Sequence, residues 1–143
     1  MTIDGLDDDA IRRLLLNTRR VAVVGASANP LRPSNGVTGF LVSRGFDVTP
    51  VNPGLAGQKL HGATVAASLE EAGPLDLVDI FRRSEEAGKV IDEAIRLGAK
   101  AIWTQLGVID EAAAARARAA GLVAVMDRCP AIEWPRLGLS AGA

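Results

Sequence analysis

Apolar positions in this chain follow two rhythms. Short, largely apolar runs occur at Val21-Ala22-Val23-Val24, Leu77 to Phe81, Ala101 to Thr104 and Leu122 to Met126. Such runs are too short for buried helices, and their β-branched residues suit strands covered on both faces. Between them the apolar residues fall three and four apart. Ile11, Leu14 and Leu15 form one such stripe, Val37, Phe40 and Leu41 another, and Ala87, Val90, Ile91, Ala94 and Ile95 a third. An Ala-rich helix is predicted from Asp110 to Ala120. Strands alternating with helices predict an α/β fold, with a parallel sheet of about five strands, helices on both faces and right-handed crossovers.

The punctuation sharpens these elements. Asp7 to Asp9 lead the first helix, where negative charge favours the start of the helix. A further strand is read at Asp47 to Asn52. Pro50 cannot donate to a ladder, so this strand is irregular or near an edge at that point. Asn52-Pro53-Gly54 is a turn, and Gly57 to Val65 reads as a loop with little regular structure. Ser68 is expected to cap a short turn over Leu69 to Ala72, and Ser84 to cap the helix closed by Gly98. Asp110 caps the Ala-rich helix, which Gly121 stops. Ala131 to Leu137 adds a short helix, with fraying expected from Gly138 onward.

Parallel sheets of this kind bind ligands beyond the carboxyl ends of their strands, where strand order reverses. That rule nominates three segments: Gly25 to Asn35, Asn52 to Gly54, and Phe81 to Arg83. Composition removes several classes of ligand. A net charge of −1 offers no basic face for nucleic acid or a membrane surface. Aromatic residues make up 3% of the 143 residues, which weakens base stacking as well. No apolar run reaches membrane-spanning length, and the acidic N-terminus lacks the basic start of a signal peptide. One cysteine excludes an internal disulfide framework, and one histidine with it argues against zinc. A cytoplasmic protein is the expectation, one domain over residues 1–143.

The first loop carries phosphate chemistry. Gly25 to Asn35 runs from a strand into a helix, so its amides and the positive helix end favour an anion. Ser27 adds a hydroxyl, Asn29 an amide and Arg32 a permanent cation, while Pro30 and Pro33 stiffen the loop. The dinucleotide fingerprint is incomplete. Gly25 is present, but Ser27 and Pro30 stand where the second and third glycines belong, and Asn52 replaces the acid that holds a ribose. A Walker lysine is absent too. Arg82 and Arg83 leave the next strand at the same end; they read either as a solvated pair opening a helix or, because cations are unfavourable at a helix start, as partners for an anion.

Five blocks of the chain resemble the small stand-alone CoA-binding proteins. They are Gly25-Ala26-Ser27-Ala28-Asn29-Pro30-Leu31-Arg32-Pro33-Ser34; Pro50-Val51-Asn52-Pro53; Asp76 to Arg83; Ala101 to Gly107; and Val125-Met126-Asp127-Arg128-Cys129. Together they run in order from about Arg19 to Leu137. The family is similar to the CoA-binding domain of the succinyl-CoA synthetase α subunit, a Rossmann-like fold. The resemblance implies that Gly25, Ala26, Ser27, Ala28 and Asn29 line the CoA phosphates and nearby sugar. Asn52 and Pro53 would form a second wall, and Phe81, Arg82 and Arg83 a third. The synthetase carries a lysine near Asn52, and Arg32 is expected to compensate for it. The ligand implied is coenzyme A or an acyl-CoA, whose phosphates suit loop amides and arginines.

Catalytic signals are weak by comparison. The synthetase phosphorylates a histidine in a second domain, and no such context surrounds His61, which reads as a loop residue. Ser27 has no evident base. Cys129 lies beside Arg128, which favours a thiolate, but a small packed cysteine is the simpler reading. Asp79 sits within an apolar run and needs a partner if buried, with Arg128 the candidate. Trp103 and Trp134 are expected in the core. The resulting expectation is a binding protein without chemistry of its own. A nicotinamide-dependent oxidoreductase, an acyl-CoA ligase subunit, and a protein-interaction module with a vestigial site remain alternatives, and any protein partner is open.

Overall fold

The computed structural model of the chain describes residues 3–139. Its elements are α1 (Asp8–Asn17), β1 (Arg20–Val24), α2 (Pro33–Ser43), β2 (Asp47–Val51), β3 (Lys59–Leu60), β4 (Ala63–Thr64), β5 (Leu77–Ile80), α3 (Ser84–Arg96), β6 (Ala101–Thr104), α4 (Glu111–Ala119), β7 (Val123–Val125) and α5 (Pro130–Arg136). Five strands form one parallel sheet in the order β2-β1-β5-β6-β7. The fold is therefore the expected Rossmann-like α/β sheet. After β2 the chain crosses back over β1, so strand order reverses between β1 and β5.

Alternation along the strands sorts the core into two layers. Ala22, Val78, Ile80, Ile102 and Ala124 pack under α3 and α4, against Ala87, Ile91 and Ala113. Val21, Val23, Leu77, Trp103 and Val125 face the other way, under α1, α2 and α5, against Ile11, Leu41 and Trp134. Trp103 is fully buried and donates from Nε1 to the Arg128 carbonyl at 2.8 Å. Trp134 is met edge-on by Phe40 and Phe46. Pro50 lies on the edge strand as expected. Its carbonyl faces outward and accepts from the Ala66 amide at 2.9 Å, so the amide that proline lacks is missing on the side away from β1.

Helix ends follow the sequence in most places. Asp7 and Asp110 accept from the Ala10 and Ala113 amides. Ser68 Oγ accepts from Glu71 at 3.3 Å. Three local expectations are corrected. Gly57 to Val65 holds the β3–β4 hairpin, turned by His61 and Gly62 at φ 51° and 86°, the two positive values a tight hairpin turn requires. Ser84 is the first residue of α3 rather than its cap. Its hydroxyl accepts from Ile109 N at 3.0 Å and donates to Gly107 O at 3.3 Å, tying α3 to the loop after β6. Gly138 and Leu139 close α5 through bonds to the Pro135 and Trp134 carbonyls, so fraying does not begin there, and residues 140–143 lie outside the described residues.

Arg128 does not partner Asp79. Its guanidinium is buried against Asp4 at 2.8 Å and Glu133 at 2.8 Å, and Glu133 passes the contact on to Arg136 and then Asp8. This chain of charges fastens the start of the chain to α5. Asp79 is fully buried, and neither of its oxygens is hydrogen-bonded. Burial pushes its carboxyl well above the ordinary value, and the nearby Ile80 backbone amide opposes this only weakly.

Candidate functional site

A cleft of about 810 Å³ opens at the carboxyl ends of β1, β5 and β6, at the point where strand order reverses. Eight of the residues read from the sequence line it: Gly25, Ala26, Ser27, Arg32, Asn52, Phe81, Arg82 and Arg83. Ala28 and Asn29 sit on the exposed outer limb of the first loop. Pro53 faces a neighbouring groove of about 400 Å³, which shares Gly25, Asn52 and Arg82 with the cleft.

Gly25 makes the first loop possible. Its φ is 88°, and a Cβ there would lie 2.3 Å from the Phe81 carbonyl oxygen. Only glycine lets the loops after β1 and β5 approach so closely. The Gly25 and Ala26 amides both donate to Val51 O, at 3.2 and 3.3 Å. Asn52 closes the same junction from its side chain. Nδ2 donates to Ala26 O at 2.8 Å, and Oδ1 accepts from Gly54 N at 2.8 Å. Its amide is thus engaged by backbone, and Asn52 contributes to the cleft by holding its walls.

Further along, side chains again serve the backbone. Ser27 Oγ accepts from Asn29 N at 3.0 Å, and Asn29 Oδ1 accepts from Leu31 N at 2.9 Å. Asn35, buried in the first turn of α2, donates to Ser27 O at 2.8 Å and meets His61 Nε2 at 3.0 Å. The imidazole lies over Gly39, where a Cβ would come within 2.8 Å of it. His61 therefore braces the loop from outside the cleft. The Ser27 and Ala28 amides, left over, donate to no acceptor among the described residues. Peptide amides without a protein acceptor, in a loop that leads into a helix, are the kind of donors an anion can take.

Charge enters from two sides. Arg32, exposed at the N-cap of α2, has no ion pair among the described residues. Arg82 and Arg83 open α3 but are answered within the first turn of that helix. Arg82 meets Glu86 at 3.4 Å, and Arg83 meets Glu85 and Glu86 at 3.8 and 3.7 Å. These loose, solvent-exposed pairs hold the arginines weakly.

Reading the sequence missed the fourth wall. Gln105, Leu106, Gly107 and Val108 line the cleft from the loop after β6. The same carboxyl-end rule that nominated the other loops identifies this one, since Ala101 to Thr104 was already a strand. Gln105 is buried, and its Oε1 has no hydrogen-bond partner. Cys129 is buried at the start of α5, and the Arg128 guanidinium beside it in sequence is committed to Asp4 and Glu133. Among the described residues no cluster of three metal-ligating side chains occurs, and no helix is long and apolar enough to cross a membrane.

Comparison with known proteins agrees with this architecture. The uncharacterized protein YneT of Bacillus subtilis (strain 168) is 35% identical over 120 residues, covering 83% of this chain and 87% of that one. A hypothetical protein of Pyrococcus horikoshii OT3 superposes with a TM-score of 0.89 at 35% identity, over 96% of both chains. A Rex-family repressor, RSP, solved in complex with β-NADH, shares the fold alone. Its identity is 19% and its TM-score 0.54, over 83% of this chain and 58% of that one. The model of the CoA binding domain matches residues 19–135, which include every strand and four of the five helices in full or nearly so. On that match, and on the full-length likeness to its relatives, the chain belongs to the CoA binding domain family.

Proposed function

We propose that this chain is a cytoplasmic, single-domain binding protein for coenzyme A or an acyl-CoA, without chemistry of its own. The observation that carries the reading is the pair of free amides at Ser27 and Ala28, in the loop that runs from Gly25 to α2 at the edge of the cleft. A diphosphate suits those donors, with Arg32 close by in the sequence of the same loop. Arg82 and Arg83 supply further cations for a ligand that carries a third phosphate, exchanging weak glutamate pairs for stronger charged bonds. The pantetheine arm then runs past Phe81 and Leu106, along the wall made by the loop after β6.

The test is calorimetric titration with CoA, dephospho-CoA and NAD in parallel. Saturable CoA binding that weakens without the 3′-phosphate is expected. NAD binding alone, or no binding by any of the three, refutes the reading.

A further inference from the structure

A second groove, of about 400 Å³, opens beside the main cleft at the carboxyl end of β7, and Leu106 lines both. Its apolar wall is Ile3, Leu106, Met126, Cys129 and Ile132. Ile3, Leu106 and Ile132 are 47%, 53% and 51% exposed, and they are three of the seven large hydrophobic side chains exposed among the described residues. Exposed apolar residues scattered singly need no explanation, but three around one depression mark a binding surface.

The charges in this groove are already spent. Arg128 is paired with Asp4 and Glu133, and Arg136 with Asp8 and Glu133. Asp127 is paired with no cation among the described residues, and its carboxylate accepts the Gly107 amide at 2.7 Å. The network holds three carboxylates against two guanidiniums and Asp127 adds a further carboxylate, so an occupant meets apolar walls in a net negative surround, which suits an uncharged aliphatic group and disfavours a carboxylate.

Reach identifies the source of that group. From β1 across β5 and β6 to β7 is three strand spacings, roughly 14 Å. The pantetheine arm has about twelve bonds from phosphate oxygen to sulfur, the backbone of four extended residues, or roughly 14 Å. With its phosphates on the loop after β1, a fully extended CoA arm is long enough to bring its sulfur to the β7 end of the sheet, where this groove opens. Resting on the CoA reading above, we infer that the groove at the end of β7 receives the acyl group of a CoA thioester, and that the chain selects neutral aliphatic acyl-CoA over free CoA and over thioesters ending in a carboxylate.

Titration of the full chain with CoA, butyryl-CoA, octanoyl-CoA and succinyl-CoA tests this. Octanoyl-CoA should bind at least tenfold tighter than CoA, butyryl-CoA between them, and succinyl-CoA no tighter than CoA. Ile132→Asn, on the exposed face of α5, should reduce the octanoyl preference below threefold and leave CoA affinity unchanged. Asp127→Asn keeps an acceptor for Gly107 N and tolerates the residue's φ of 61°, and it should tighten succinyl-CoA severalfold. Equal affinity for CoA and octanoyl-CoA overturns the inference and leaves the CoA reading standing. Equal affinity together with a dimer that Ile132→Asn disperses in light scattering gives the groove to a second copy and equally overturns it. Failure of CoA and every thioester to bind overturns the CoA reading itself.

Discussion

Replacing Gly25 by alanine tests the close approach on which the cleft is built. Two costs combine at this position. The backbone sits at φ 88°, where a side chain costs about 1–2 kcal/mol. The new methyl must also retreat from 2.3 Å to beyond 3.0 Å from the Phe81 carbonyl oxygen. That oxygen belongs to backbone fixed nearby, since Phe81 N donates to Val24 O at 2.8 Å and Gly25 N to Val51 O at 3.2 Å. Relief by backbone shift costs roughly 1–3 kcal/mol more, as overpacking does in other cores. Gly121→Ala supplies the control. Its φ is 90°, but a Cβ there meets no heavy atom within 4 Å, so it bears the conformational cost alone. Urea unfolding followed by tryptophan fluorescence should place Gly25→Ala about 2–5 kcal/mol below the parent and Gly121→Ala about 1–2 kcal/mol below it. At about 3 °C per kcal/mol the first loses roughly 6–15 °C in Tm. Equal losses for the two variants refute the argument that loop approach, beyond backbone conformation, makes Gly25 necessary.

Arg128→Ala removes the cation from buried Asp4 and Glu133 and should cost about 3–5 kcal/mol in urea unfolding; a loss below 1 kcal/mol rejects the network as a clamp on α5. Asp79 has a folded pKa raised above its ordinary 3.8, so its stability contribution is complete below that pH and declines as pH rises toward the folded value. Relative to Asp79→Asn, the parent should therefore lose stability with rising pH, by up to about 1.4 kcal/mol per unit, and a difference that does not vary with pH contradicts a buried, protonated carboxyl. Arg82→Ala should weaken CoA binding by about 1–3 kcal/mol while changing stability by less than 1 kcal/mol, because its pair with Glu86 is exposed; unchanged calorimetric affinity takes Arg82 out of the site.

Much of the sheet was legible because its physics is local. Val21 to Val24 and Ala101 to Thr104 are short apolar runs buried on both faces, and nothing else accommodates them. The stripe from Ala87 to Ile95 needs only its spacing to be recognised as a helix. What escaped depended on contacts distant in sequence. Ser84 looks like a cap until Gly107 and Ile109 arrive from 23 and 25 residues away to claim its hydroxyl. Arg128 seemed available to Asp79, but Asp4 lies 124 residues away in sequence and adjacent in space. The β3–β4 hairpin was missed for a different reason. Its strands are two residues each, and His61 stands where asparagine or aspartate usually signals such a turn. The first, second and third loops of the site were readable from the strand ends, and the loop after β6 was equally so.

The substitutions that make this chain a poor match to the dinucleotide fingerprint are the ones its loops require. An acid at position 52 accepts the Gly54 amide but has no N–H for the Ala26 carbonyl, and a lysine donates but cannot accept. Asparagine does both, at 2.8 Å each. Ser27 in place of a second glycine holds the Asn29 amide, and Asn35 holds the Ser27 carbonyl, so the loop is fixed by side chains that face its own backbone. What remains in this loop without an acceptor among the described residues is the pair of peptide amides at Ser27 and Ala28. Amides of this kind would suit an oxyanion without reading a sugar, and Asn52 places no carboxylate where a ribose diol would need one. On the proposed CoA reading, weak binding of a nicotinamide dinucleotide would follow from how the loops are closed, and selection among CoA ligands would fall to the arginines at the start of α3 and to the walls beyond Gln105.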